Sequence, residues 1–110
     1  MTLHVLSVAL EAIRALRPIV QAVARHDSGL AKQMREAGSS VVLNLAEGQR
    51  SDPGNARARF YSAAGSTQET RSALQLASAW GYVPAASVEP ADALFDRVAA
   101  MLYRLTHPRP

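Results

Sequence analysis

The chain has no cysteine, a single lysine (Lys32), a single tryptophan and only 5% aromatic residues among its 110 positions. Without cysteine there is no disulfide framework, no thiolate metal site and no cysteine nucleophile. With so few rings, a core must be built from small and aliphatic side chains. No apolar run reaches the ~18 residues of a membrane span. The apolar start, Met1 to Leu10, lacks a basic leader and is interrupted by Glu11, so neither a signal peptide nor a membrane anchor is expected and the cytoplasm is the expected compartment. Alternating strand patterns and low-complexity segments are absent as well.

Signs of catalysis are equally scarce. His4, His26 and His107 are scattered without partner spacing. No Glu-x-x-His pair of the kind that holds metals in bundles occurs. Neither a Gly-x-Ser-x-Gly turn nor a phosphate-cradling glycine loop is present. The sequence therefore predicts no enzyme activity, no catalytic residue, no metal and no cofactor.

What is present is helical periodicity. Leu6, Leu10, Ile13, Leu16, Val20 and Val23 recur every three or four residues, predicting one buried stripe on a helix over about 3–26. Pro18 lies within it and predicts a bend rather than a break. Leu30, Met34, Ala37, Val41 and Leu45 predict a second helix over 29–47, capped by Asp27 or Ser28. Ser51 or Asp52 followed by Pro53 is a strong start signal for a third helix over 53–80. Phe60, Ala63, Thr67, Thr70, Leu74 and Ala77 form one seam of it, and Ala73, Leu76 and Trp80 a second. Gly81 and Pro84 end that helix. A fourth, with a broad apolar face from Leu94 to Leu105, is expected over 88–106. Four amphipathic helices with short connections predict an all-α, antiparallel up-down-up-down four-helix bundle in one domain.

The stretch Ser40 to Gly48 carries the most information. Asn44 falls on the apolar side of helix two, where a polar group needs a partner, and Gly48 is placed to close the helix with a positive φ. Facing residue numbers across the turn sum to about 101. Asn44 should therefore face Arg57, and Glu47 the exposed N–H groups at the start of helix three. Asn44, Glu47 and Gly48 are thus expected to fasten this turn. The same rule sets Glu69 opposite Lys32 and Arg35, predicting an ion pair. Glu69 shares a side with Ala73, Leu76 and Trp80, so the alternative for this group is a contact between subunits. The two seams of helix three and the wide face of helix four exceed what one bundle needs to bury, which also predicts self-association.

Eleven of the twelve basic residues are arginine, and the net charge is +3. Arg50, Arg57 and Arg59 cluster near the second turn and match phosphate geometry. The alternative is a solvated surface of scattered charge.

Ser40-Val41-x-x-Asn44-Leu45-Ala46-Glu47-Gly48, Phe60, Gly65-Ser66-x-x-Glu69, Leu74, Ala77 and Gly81-Tyr82 together resemble the "four helix bundle protein" family. That family is similar to proteins encoded in intervening sequences of bacterial 23S ribosomal RNA genes and is related to the accessory variability protein of diversity-generating retroelements. The resemblance implies a ring-like homopentamer and a non-enzymatic role. It implies association with RNA or DNA, or with a nucleic-acid-handling enzyme such as a reverse transcriptase. This chain is less basic than the retroelement protein. The second reading is a purely structural homo-oligomer that organises a protein partner without nucleic acid.

Overall fold

The computed structural model describes residues 4–109. Four helices follow in order: α1 (His4–Ala24), α2 (Ser28–Gln49), α3 (Pro53–Ala79) and α4 (Ala85–Thr106). Each packs against its chain neighbours, and α4 closes against α1, giving an up-down-up-down bundle. The expected start of the first helix at Leu3 lies outside the described residues.

Each turn has a local cause. Asp27 caps α2, its Oδ1 accepting from Leu30 N at 3.0 Å. Asp52 caps α3 in the same way, accepting from Asn55 N at 3.1 Å, with Pro53 at the first helical position. At the end of α3, Gly81 adopts φ +81°. Its N–H donates to Ser78 O at 2.9 Å and Tyr82 N–H to Ala77 O at 3.0 Å, a Schellman closure that only an unhindered residue enters cheaply. Pro84 then opens α4 three residues earlier than the periodicity predicts, leaving Pro90 inside the helix. Pro18 likewise lies within a continuous α1.

Gly48 departs from the sequence expectation. The chain continues helically through it to Gln49, and Gly81 is the residue with positive φ among those described. The reason for glycine at 48 is space: a Cβ there would lie 2.6 Å from Cε1 of Phe60 on α3. Gly38 serves α1 and α2 similarly, with Leu16 Cδ2 3.0 Å and Ile13 Cδ1 3.1 Å from the site of its missing Cβ.

The core has two clusters along the rod. One holds Leu16, Val23, Met34, Leu74 and Phe95 with their neighbours; the other holds Val8, Val41, Leu45, Val98 and Leu102. Leu94 packs against both. Along α1 the inward face is Val5, Val8, Ala9, Ala12, Leu16, Ile19, Val20 and Val23. Leu10, expected in the stripe, is instead 39% exposed. Small Ala9 and Ala12 take the inner positions, and Leu6 and Ile13 sit on the flank. Buried Thr67 and Thr70 donate their hydroxyls back to Ala63 O and Ser66 O, both at 2.8 Å, so neither leaves an unpaired polar group.

Two predictions follow from these local causes. Gly48→Ala should destabilise the bundle by about 1 kcal/mol or more through overpacking against Phe60. In a Phe60→Ala background the same change should be neutral or stabilising by up to ~1 kcal/mol, from helix propensity alone. Equal effects in both backgrounds, measured by chemical denaturation, would show that the ring does not require the glycine. Asn55 hydrogen bonds, backbone first and then side chain, hold the Asp52 carboxyl below its ordinary value. Its stabilisation is therefore present above the unfolded-state pKa and lost as pH falls through the folded one. The melting-temperature gap between wild type and Asp52→Ala should narrow on acidification, and a gap independent of pH would contradict the cap.

Candidate functional site

The α2–α3 turn brings the expected residues together only in part. Arg59 Nη1, not Arg57, approaches Asn44 Oδ1, at 3.5 Å. Residues two positions apart on a helix point about 200° apart, so Arg57 leaves α3 on the other side from Arg59, towards α4. There its Nη2 donates to Thr106 O at 3.2 Å and its guanidinium lies 5.6 Å from the Tyr61 ring centroid. The cation thus sits at the negative end of α4. Asn44 is held chiefly within α2, its Nδ2 donating to Ser40 O at 2.9 Å and Ser40 Oγ at 3.0 Å.

Glu47 does not reach the start of α3. Its carboxylate pairs with Arg50 at 3.4 Å on the exposed surface, a contact worth ~0–1 kcal/mol. Asp52, already adjacent to the α3 N–H groups, has taken that role. The Glu47 main chain still closes the turn, its carbonyl accepting from Ser51 Oγ at 2.7 Å. Arg57 therefore parts from Arg50 and Arg59, which stay beside Glu47 and Asn44 on one face of α2, so the three form no single phosphate patch.

The second expected group also divides. Ala73 is buried in the core, whereas Glu69, Leu76 and Trp80 are exposed. Among the described residues Glu69 makes no ion pair, because Lys32 turns instead to Glu36, 3.9 Å away on its own helix. Arg71, which the sequence did not single out, spans α3 and α4. Its Nε lies 2.9 Å from Asp92 Oδ1 and its Nη1 3.0 Å from Asp96 Oδ1. The Asp92 hydrogen bond, above all, holds its guanidinium above the ordinary value.

Two grooves flank α2. The one facing α3, about 720 Å³, sets Arg35 and Arg59 against Glu36 and Glu47, so its charges balance. The one facing α1, about 460 Å³, has Ile13, Leu16, Val20 and Ala24 among its lining and Arg14, Arg17 and Arg35 around it, with Gln21 and Ser39 and no acid. All three arginines are exposed. Among the described residues none of them has a carboxylate partner. An apolar floor ringed by free guanidinium forks suits an anion with flat or apolar parts. The sequence showed Arg14 and Arg17 only as the polar side of α1, and Arg35 as a partner for Glu69.

Aromatic rings gather at both ends of the rod. At one, His26 and Tyr82 stack at 5.4 Å and Tyr82 and Trp80 at 6.4 Å. Tyr82 Oη donates to Asp27 Oδ2 at 3.1 Å, tying the α3–α4 turn to the α1–α2 turn. Desolvation, then that carboxylate, pushes the Tyr82 phenol up. At the other, Tyr103 stacks on His107 at 4.1 Å and Tyr61 meets the same ring edgewise. Among the described residues no three His, Cys, Asp or Glu side chains gather to hold a metal, and no helix is long and apolar enough to cross a membrane.

A bundle of this form recurs in a crystal structure described as a protein of unknown function from the S23 ribosomal protein family of Bacteroides thetaiotaomicron. The two share 18% identity and superpose with a TM-score of 0.85 over 93% of this chain and 97% of that one. At that identity the likeness establishes the fold alone. No curated protein matches the chain. The family model described as 23S rRNA-intervening sequence protein matches residues 2–104, nearly the whole length. The chain belongs to the 23S rRNA-intervening sequence protein family.

Proposed function

We propose that this protein is a non-enzymatic, cytoplasmic, homo-oligomeric binding subunit that associates with RNA, alone or in the company of a nucleic-acid-handling enzyme such as a reverse transcriptase. The observation that carries the reading is the acid-free α1/α2 groove, where Arg14 and Arg17 face no carboxylate and Arg35, which also borders the α2/α3 groove, is in no ion pair among the described residues. Guanidinium groups left free in one place favour phosphate, and binding releases the counterions condensed on the nucleic acid.

Self-association rests on apolar side chains left outside the bundle. Leu43 is 67% exposed on α2 and Leu76 46% exposed on α3, apolar surface that packing against a second copy would remove from water. The pentamer implied by the sequence resemblance would cover such residues.

Light scattering at micromolar concentration should give a five-fold multiple of the 11.8 kDa chain mass. Leu43→Asp should shift the population to smaller species, and a wild-type monomer would contradict the assembly. RNA affinity should fall steeply with salt, and replacing Arg14, Arg17 and Arg35 together by Ala should reduce the log–log salt slope by about 2, from ~0.7 per phosphate on a single strand. Binding that is absent, or indifferent to salt and to the triple variant, would remove the nucleic-acid reading.

A further inference from the structure

The α1/α2 groove leads along α1 from Ile13 to Ala24, a span of about 16 Å at the helical rise. His26, two residues beyond its end, begins the stack of rings with Tyr82 and Trp80. The ring planes are nearly parallel, 5° apart for His26 and Tyr82 and 18° for Tyr82 and Trp80. The main chain places the stack: the Trp80 backbone N–H donates to Leu76 O at 2.9 Å, the Schellman turn at Gly81 sets Tyr82 beside it, and Asp27 holds the Tyr82 hydroxyl. Yet Trp80 is 63% exposed, so the assembly ends on a large ring with a face open to solvent. Arg25, next to His26, is exposed and lacks a carboxylate partner among the described residues.

Tyr82 itself lies on the α4-facing side of α1, beside Pro18 and Ala22, so the stack caps the end of the rod at which the groove stops. We propose that the His26–Tyr82–Trp80 stack is a base-stacking platform at the end of the rod where the α1/α2 arginine groove stops, and that the nucleic acid held by that groove is single-stranded RNA with an unpaired base on the open face of Trp80. The inference rests on the nucleic-acid reading above and specifies it. A groove of cations that follows a backbone, with aromatic faces within reach of the strand, is the arrangement that binds unpaired strands with little sequence preference. A duplex keeps its bases stacked inside and offers no free face to Trp80, so charge alone would hold it. A base on Trp80 would extend a stack already three rings deep.

Trp80 is the one tryptophan of the chain, so its fluorescence reads the platform directly. The test titrates full-length protein with a short single-stranded oligoadenylate and with the same strand annealed to oligouridylate. The single strand should bind more tightly and quench the fluorescence. Trp80→Ala should weaken single-strand binding about 5- to 150-fold, the range for losing one stacked base, with duplex affinity and melting temperature unchanged. Trp80→Phe should recover part of the loss. Equal binding of strand and duplex, unaltered affinity in Trp80→Ala, or a Trp80 that iodide cannot quench in the free protein because another copy covers it, would each overturn the platform. If Trp80→Ala is silent while the Arg14, Arg17 and Arg35 replacement still abolishes binding, the platform falls and the groove reading stands. If neither RNA form binds at low salt, both fall.

Discussion

Phe60 of α3 lies across Gly48 of α2, and Leu16 and Ile13 of α1 lie across Gly38. Between these points the hydroxyls of Ser66 and Ser40 meet across α2 and α3 at 2.8 Å. Helices that carry so few large rings can exclude water from their core only by coming close, and closeness requires positions with little or no side chain. Alanine, glycine and serine supply them, at the expense of some intrinsic helix propensity for the glycines and serines. The same closeness decides what remains outside. With Ala9 and Ala12 turned inward, Leu10 moves to the surface. With α1 and α2 drawn together at Gly38, Leu16 and Ile13 rise between them and line the α1/α2 groove.

Charge is distributed around this frame unevenly. Arg71 is consumed by Asp92 and Asp96 in bracing α3 to α4, Arg57 by the end of α4, and Arg50 by Glu47. None of these guanidinium groups is free for a ligand without breaking a contact within the fold. Arg14 and Arg17 differ because the groove they border carries glutamine and serine rather than carboxylates, and Arg35, on its other rim, is in no ion pair among the described residues. A modest net charge of +3 thus conceals a local concentration of unneutralised cations, and it is the local field that an approaching phosphate meets.

The two ends of the rod are held by different devices. At the α1–α2 and α3–α4 turns, Asp27 caps one helix with one oxygen and receives the Tyr82 hydroxyl with the other, so two turns become one unit. At the opposite end, Arg57 and Tyr61 both approach the Thr106 carbonyl and fix the last turn of α4. The first device leaves a tryptophan ring in the open. The second stacks His107 on Tyr103, itself 63% exposed, and sets Tyr61 edge-on to the same imidazole. What sets the first end apart is that the α1/α2 groove stops there, at Ala24.

Four helices and their order in an antiparallel bundle could be read from the sequence alone, because apolar period, Asp-Pro starts and a Gly-then-Pro stop act within a few residues of one another. Asp52-Pro53 and Gly81 are such signals. Gly48 shows where local reading ends: it looked like a stop and is a seat for Phe60. Which arginine reaches Asn44, which of Ala73 and Leu76 turns inward, and which guanidinium groups stay unpaired were settled only by tertiary packing. Each depends on the rotation of one helix about its axis relative to another, and one residue's difference turns a side chain by about 100°. Periodicity fixes that a face exists; only the neighbouring helices fix what it meets.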